Sequence, residues 1–151
     1  MMQEIHLKRA VTDADYRSAL DVMRELRPHL TDADAFVRQM RRQAEQGYVL
    51  LTARHATPDG AVVALAGYRH LENTLYGRFV YVDDLVATGH ARGQRLGERL
   101  LDAVRDDARQ HGCMHLVLDT GLSNALAQRF YFRQGLLSRG MHFSQSLQAL
   151  G

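Results

Sequence analysis

Three apolar segments that follow one another in the middle of the chain restrict its fold more than any other feature. Residues 48–53, 61–70 and 78–87 have the length and the β-branched and aromatic content of strands. The first two are separated by a turn that contains Pro58-Asp-Gly60, and the last two by the loop Glu72–Gly77. They therefore predict three strands that pair in sequence order.

Helical and strand-like patterns flank these three segments. A strand is predicted at 5–10, helices after Thr12 and Thr31, a helix that ends at Gly112, a strand at 115–119 and a helix at 124–134. The tail, 138–147, alternates loosely and is compatible with one or two edge strands. The order β-α-α-β-β-β-α-β-α-β(β) predicts a single mixed α/β domain over 1–151.

Length and composition exclude several classes of protein. The 151 residues are 46% hydrophobic and 24% charged, as in an ordinary globular domain. No apolar run approaches the roughly 20 residues that span a bilayer, and the first residues do not resemble a secretory signal, so we expect a cytoplasmic protein without membrane association. The single cysteine, Cys113, excludes internal disulfides. A net charge of +2, with Arg and Asp interspersed, argues against a nucleic-acid partner.

The segment from Val82 to Leu101 predicts a strand, a glycine-containing turn and a helix. The amides at such a helix start have no partners within the helix, and the positive end of the helix dipole lies behind them. This arrangement binds phosphate groups, and Arg92 and Arg95 add positive charge there. The alternative is a plain connection in which Gly93 and Gly97 only permit tight turning.

Two motifs in register carry a resemblance to a known family. Arg92-Gly-Gln-Arg-Leu-Gly97 with Leu100-Leu101, and Asn124-Ala-Leu-Ala-Gln-Arg-Phe-Tyr-Phe-Arg-Gln-Gly-Leu136, resemble the R/Q-x-x-G-x-G/A and N-x-x-A-x-x-F-Y-x-x-x-G-F motifs of GNAT N-acetyltransferases. The chain departs from the family at Arg95, in place of a glycine, and at Leu136, in place of phenylalanine.

The resemblance implies acetyl-CoA as cosubstrate and assigns residues to it. The pyrophosphate would lie over the backbone amides of Arg92, Gly93, Gln94, Arg95, Leu96, Gly97 and Glu98. The pantetheine arm would pair with the backbone of Leu85, Val86 and Ala87. An amide in the region of Leu85 and Val86 would also stabilise the oxyanion that develops on the thioester. Asn124 would form a hydrogen bond with the cofactor, and Tyr131 would approach the sulfur.

The reaction itself requires two proton transfers. An alkylammonium with a pKa near ~10 must lose a proton to a base before it attacks a thioester, and the departing thiolate needs an acid, a role that Tyr131 would fill. Asp84 is the preferred base, with a salt bridge as its alternative role and Tyr81 acting through water as a further candidate. Asp83 and Asp84 are adjacent on a strand, so we expect them on opposite faces.

These observations predict an N-acetyltransferase that acts on a primary amine of a small molecule or peptide in a ternary complex. Asp83, Glu72 and Tyr81 are the predicted acceptor-binding residues. The alternative is a non-catalytic acyl-CoA-binding or sensing module. His111, Cys113 and His115 should diverge around Gly112, so we expect no metal site. Edge strands in the tail would favour a homodimer.

Overall fold

The computed structural model describes residues 4–89 and 94–148. These residues form two compact units, one that ends at Leu118 and one that begins at Asp119. No helix in the described ranges combines the length and the apolarity that crossing a bilayer requires.

The first unit contains a five-stranded sheet in the order β1-β2-β3-β4-β5. Strands β1 to β4 pair antiparallel to one another, and β5 runs parallel to β4. The strands are β1 (Ile5–Arg9), β2 (Tyr48–His55), β3 (Val62–Asn73), β4 (Gly77–Ala87) and β5 (His115–Leu118). The structure thus confirms the strands predicted from the apolar segments, and β3 and β4 form a long hairpin.

The described residues form the helices α1 (Asp13–Leu26), α2 (Ala33–Glu45) and α3 (Leu96–Gln110) in the first unit and α4 (Ala125–Arg133) in the second. Side chains at the helix starts explain where α1 and α2 begin. Thr12 and Asp15 form a reciprocal capping box at α1, and Asp32 accepts bonds from two amides at α2. These caps satisfy amides that have no partner within the helix.

The helices of the first unit cover both faces of the sheet. Leu65 of β3 packs in one buried cluster with Met23 of α1 and Phe36 of α2. Side chains alternate along a strand, so Tyr68, three residues later, projects from the opposite face. There its hydroxyl donates to Asp107 of α3 at 2.6 Å. Thus α1 and α2 cover one face and α3 covers the other.

The tail differs from its predicted structure. Residues 138–147 form no strand within the described part of the chain. A strand requires a neighbouring strand for its backbone groups, and the loose alternation supplies no such partner. Its large apolar side chains stay exposed, with Phe143 83% and Leu147 91% accessible. The predicted homodimer rested on these edge strands and loses that support.

Candidate active site

Strand β4 extends beyond its parallel neighbour. The β4–β5 pairing ends with Val82 opposite Leu118, whereas β4 continues to Ala87 and stays paired with β3 on its other side. On the β5 side, residues 83–87 therefore have no strand partner in the described chain. This edge includes Leu85, Val86 and Ala87, the residues predicted to pair with the pantetheine arm.

A β-bulge lies where the β4–β5 pairing ends. Gly67 of β3 pairs with Asp84 and the next residue, Tyr68, pairs with Val82, so Asp83 is an additional residue in β4. A bulge bends its strand and changes the direction of side chains. In this chain the bulge determines where the two carboxylates lie.

Asp84 is buried, with 8% of its surface accessible. Its Oδ1 accepts a hydrogen bond from Arg27 Nε at 3.1 Å, and its Oδ2 accepts one from the Tyr48 hydroxyl at 2.8 Å. Burial raises the pKa of Tyr48 well above its ordinary value, and the Asp84 charge adds to the shift. Tyr48 therefore remains a proton donor to Asp84.

Asp83 joins the same network through Arg69. Arg69 Nε donates to Asp83 Oδ2 at 2.7 Å, and its guanidinium lies 5.3 Å from the centre of the Tyr48 ring. Arg27 also donates to the Asp83 carbonyl at 2.9 Å. Burial raises the pKa of Asp83, against the lowering effect of Arg69. The expectation that the two carboxylates point to opposite faces is wrong, because the bulge interrupts the alternation.

Gly67 makes this arrangement possible. A Cβ at Gly67 would lie 1.8 Å from the Tyr48 hydroxyl oxygen and 2.5 Å from its Cζ. The Tyr48 side chain therefore crosses directly over the backbone of β3 to reach Asp84. A glycine inside a strand commonly marks such a close approach.

Of the other two predicted acceptor residues, Tyr81 lies close to the network of Asp83 and Asp84, whereas Glu72 lies far from it. Tyr81 is directly opposite Arg69 in the β3–β4 ladder, so both side chains project from the same face. Glu72 is exposed and pairs with Arg78, five residues before Asp83. At about 3.4 Å per residue this is roughly 17 Å along the strand. The structure brings Tyr81, Asp83 and Asp84 together but does not bring Glu72 to them.

The start of α3 has the features of an anion site. Arg95, the N-cap, has φ 53° and ψ 36° and provides no side-chain cap, so it takes the left-handed conformation that suits a glycine. Leu96, Gly97 and Glu98 form the first helical turn, where uncapped amides and the helix dipole favour an anion. Predicted ligands Arg92 and Gly93 lie outside the described residues.

Two buried polar atoms lie in the connection between the end of β4 and the start of α3. Thr88 Oγ1 and Gln94 Oε1 have no hydrogen-bond partner among the described groups. A buried polar atom without a partner is costly, so a ligand with polar groups would fit here. The site thus has the backbone edge, the helix N-terminus and the polar side chains that a nucleotide-linked thioester requires.

The second unit contains the other two predicted site residues. Asn124 caps α4, and its Oδ1 accepts from the Ala127 amide at 3.1 Å, so a donor role toward a cofactor would fall to its Nδ2. Burial raises the pKa of Tyr131, and the Asp119 charge adds to the shift. Tyr131 is therefore protonated at neutral pH, as a proton donor must be.

Sequence reasoning missed Arg27, Tyr48, Gly67 and Arg69. Only the strand register brings them to the two aspartates, and local patterns do not determine register between distant segments. Gly67, inside a predicted strand, was the one local signal of a close approach.

Comparison with known proteins identifies the family. The Acetyltransferase (GNAT) family matches residues 12–136. The chain is 42% identical over 50 residues to an IAA acetyltransferase of Azospirillum brasilense, 33% of each sequence. It is 33% identical over 66 residues to an aminoalkylphosphonate N-acetyltransferase of Salmonella typhimurium, 44% of this chain and 43% of that protein. The matched stretches thus cover less than half the length of these curated relatives.

Solved structures show the same fold. An acetyltransferase of Trypanosoma brucei superposes with a TM-score of 0.80 at 20% identity, over 95% of this chain and 100% of that one. An aminoglycoside N-acetyltransferase in complex with CoA superposes with a TM-score of 0.83 at 14% identity, over 98% of both chains. Because the family match extends over most of the sequence, the chain belongs to the GNAT family of acetyltransferases.

Proposed function

We propose that the protein transfers an acetyl group from acetyl-CoA to a primary amine of a small molecule or peptide. The observation that carries this proposal is the edge of β4 at residues 83–87, which no described strand pairs on the β5 side, together with the start of α3 at Leu96, which has no side-chain cap. An extended pantetheine arm adds to such an edge through backbone hydrogen bonds. A pyrophosphate is stabilised at such a helix start.

The reaction is a direct transfer in a ternary complex. The amine nitrogen attacks the thioester carbonyl, a C–N bond forms, and the C–S bond breaks after the tetrahedral intermediate. An amide of residues 85–87 donates to the oxyanion, and Tyr131 donates its proton to the departing thiolate. The ammonium gives one proton to a carboxylate before the attack, and the second proton that its nitrogen loses as the intermediate collapses passes to solvent. Much of the acceleration comes from positioning the two substrates.

The base is one of the two neighbouring carboxylates at the bulge. We retain Asp84 as the first candidate and add Asp83, whose raised pKa brings it closer to that of an effective base. Arg27 and Tyr48 already occupy both oxygens of Asp84, so Asp84 also holds the network in place. Tyr81, on the same face as Arg69, remains the candidate that would act through a water.

The acceptor is an amine of modest charge. The named relatives include enzymes for aminoalkylphosphonates and aminoglycosides, both of which carry amines. At the bulge, the charges of Asp83 and Asp84 are balanced by Arg69 and Arg27. A balanced network attracts polycations less strongly than two unpaired carboxylates would.

A panel of primary amines, incubated with enzyme and acetyl-CoA, tests this function through release of free thiol. We expect thiol release above the background hydrolysis for at least one class of amine. If CoA binds but no amine in a broad panel supports turnover, the protein is an acyl-CoA-binding or sensing module instead.

Asp84→Asn and Asp83→Asn identify the base once an acceptor is known. Loss of the base should lower kcat/KM by about 10²-fold or more at neutral pH. The loss should shrink as the pH approaches the amine pKa of about ~10, because free amine then forms without a base. The variant at the aspartate that is not the base should lose kcat/KM by a factor that does not depend on pH. Parallel profiles for wild type and both variants would exclude both carboxylates and favour Tyr81 with a water.

A further inference from the structure

Four polar side chains meet on the face of the sheet that α3 covers. The Asp107 carboxylate is 3.1 Å from His70 Nε2 through its Oδ2 and 3.1 Å from His111 Nδ1 through its Oδ1. The rings of His70 and His111 are 4.6 Å apart. Cys113 Sγ lies 3.8 Å from His70 Nδ1. None of these groups belongs to the proposed acetyl-transfer site.

The sequence explains why this cluster forms. Asp107 and His111 are four residues apart at the C-terminal end of α3, so they lie on the same side of the helix. His70 comes from β3, two residues after Tyr68 and therefore on the same face of the sheet. The expectation that His111, Cys113 and His115 diverge holds only for His115, which contacts the Tyr76 ring instead.

The donor atoms suit a divalent transition metal. One ligand atom each from His70, Asp107 and His111 lies within 4.8 Å of the others. Two imidazoles and a carboxylate are a common set of three protein ligands for Zn²⁺, which leaves a position for water. The C-terminal end of α3 also places partial negative charge beside the cluster. A small rotation of the His111 ring would release its Nδ1 from the Asp107 carbonyl, 2.9 Å away.

Two ligands of this set have further partners that fix their orientation. The Tyr68 hydroxyl donates to Asp107 Oδ2 at 2.6 Å. Cys113 Sγ lies beside the His70 nitrogen that faces away from Asp107. Partners of this kind hold the ligand rings and carboxylates of metal sites in place. The positive charges of Arg9, which acts on Tyr68, and of Arg78, which acts on Cys113, oppose the binding of a cation.

We propose that His70, Asp107 and His111 form a Zn²⁺ site that ties the end of α3 to β3. This site is separate from acetyl transfer, because it lies at the C-terminal end of α3, whereas the proposed pyrophosphate site is at the start of that helix, and because Tyr48 and Asp84 are on the opposite face of the sheet. Zn²⁺ that binds the folded chain stabilises it by mass action.

Isothermal titration calorimetry of the purified, chelator-treated protein with ZnCl₂ tests the proposal, with MgCl₂ as the comparison cation. We expect one equivalent of Zn²⁺ to bind, a higher Tm in its presence, and no binding of Mg²⁺, which prefers oxygen ligands. His70→Gln, Asp107→Asn and His111→Gln should each abolish saturable binding. Tyr68→Phe and Cys113→Ser should weaken it by about 10- to 100-fold, as removal of orienting partners does.

His115→Gln is the matched control, because it removes a nearby histidine from outside the cluster. It should bind Zn²⁺ as the wild type does. Absence of Zn²⁺ binding by the folded wild type would overturn the proposal. So would binding that survives His70→Gln or Asp107→Asn, or binding that His115→Gln abolishes. Circular dichroism confirms that each variant is folded, and loss of acetyltransferase activity is not a readout.

Discussion

Gly67→Ala should destabilise the protein strongly, although it adds a single methyl group. The new Cβ would lie 1.8 Å from the Tyr48 hydroxyl oxygen, 2.5 Å from Cζ and 2.8 Å from Cε2. Tyr48 is buried, with 3% of its surface accessible, so the ring cannot simply move into solvent. Either the ring or the β3 backbone must shift.

The cost has two parts. Overpacking of a buried site costs about 1–3 kcal/mol, and loss of the 2.8 Å hydrogen bond from Tyr48 to the Asp84 carboxylate costs about 1.5–3 kcal/mol. Together they predict a loss of about 2.5–6 kcal/mol in the free energy of unfolding. For a chain of this size the corresponding fall in Tm is roughly 10 °C.

Urea unfolding followed by circular dichroism measures this loss. Gly121→Ala is the control, because a Cβ there meets no described atom within 4 Å, and it should change stability by less than about 0.5 kcal/mol. Tyr48→Phe removes only the hydroxyl, so Gly67→Ala should cost less in that background than in the wild type, because the hydrogen bond is already lost. A Gly67→Ala variant as stable as the wild type would refute the close approach of Tyr48 to β3.

Three further substitutions test other parts of the structure. Gly97→Asp places bulk and negative charge at the start of α3, so it should remove most of the rise in Tm that CoA causes; an unchanged rise in the folded variant would exclude this pyrophosphate site. Tyr131→Phe should lower kcat by about 10²-fold with little change in acetyl-CoA affinity, and a loss within about threefold would make Tyr131 structural. Burial acts to raise the pKa of Asp15, but hydrogen bonds from the Val11 and Thr12 amides and the charge of Lys8 lower it to about 2. Asp15→Asn should therefore lower the free energy of unfolding by about 1 kcal/mol near neutral pH. This difference in stability between wild type and variant, measured by urea unfolding, should vanish as pH falls from about 4 through about 2, and a difference that persists at the acidic end would contradict the role of Asp15.

Local sequence patterns predicted most of the fold because each element has its own signal. The apolar segments predicted β2, β3 and β4, and Thr12 and the segment from Thr31 to Asp34 mark helix starts that the structure confirms. The tail was predicted incorrectly, because alternation shows that a segment suits a strand but not that another strand is available to pair with it.

The site was only partly predictable for the same reason. The motif around Gly97 and the end of β4 are contiguous in sequence, so their roles follow from local reasoning. The bulge at Asp83 depends on how β3 and β4 pair, and it decides where both carboxylates lie. The contacts of Asp84 with Arg27 and Tyr48 join residues 57 and 36 positions apart, a relation that no local pattern contains.

The most direct test of the proposed function is the mass balance of the reaction with an active amine. Enzyme, acetyl-CoA and amine are mixed, free thiol is measured by absorbance, and the acetylated amine is measured by mass spectrometry. The account predicts one N-acetylated amine for each thiol released, without acetyl transfer to the protein. Thiol release without acetylated amine, or an acetylated protein that precedes the product, would contradict direct transfer in a ternary complex.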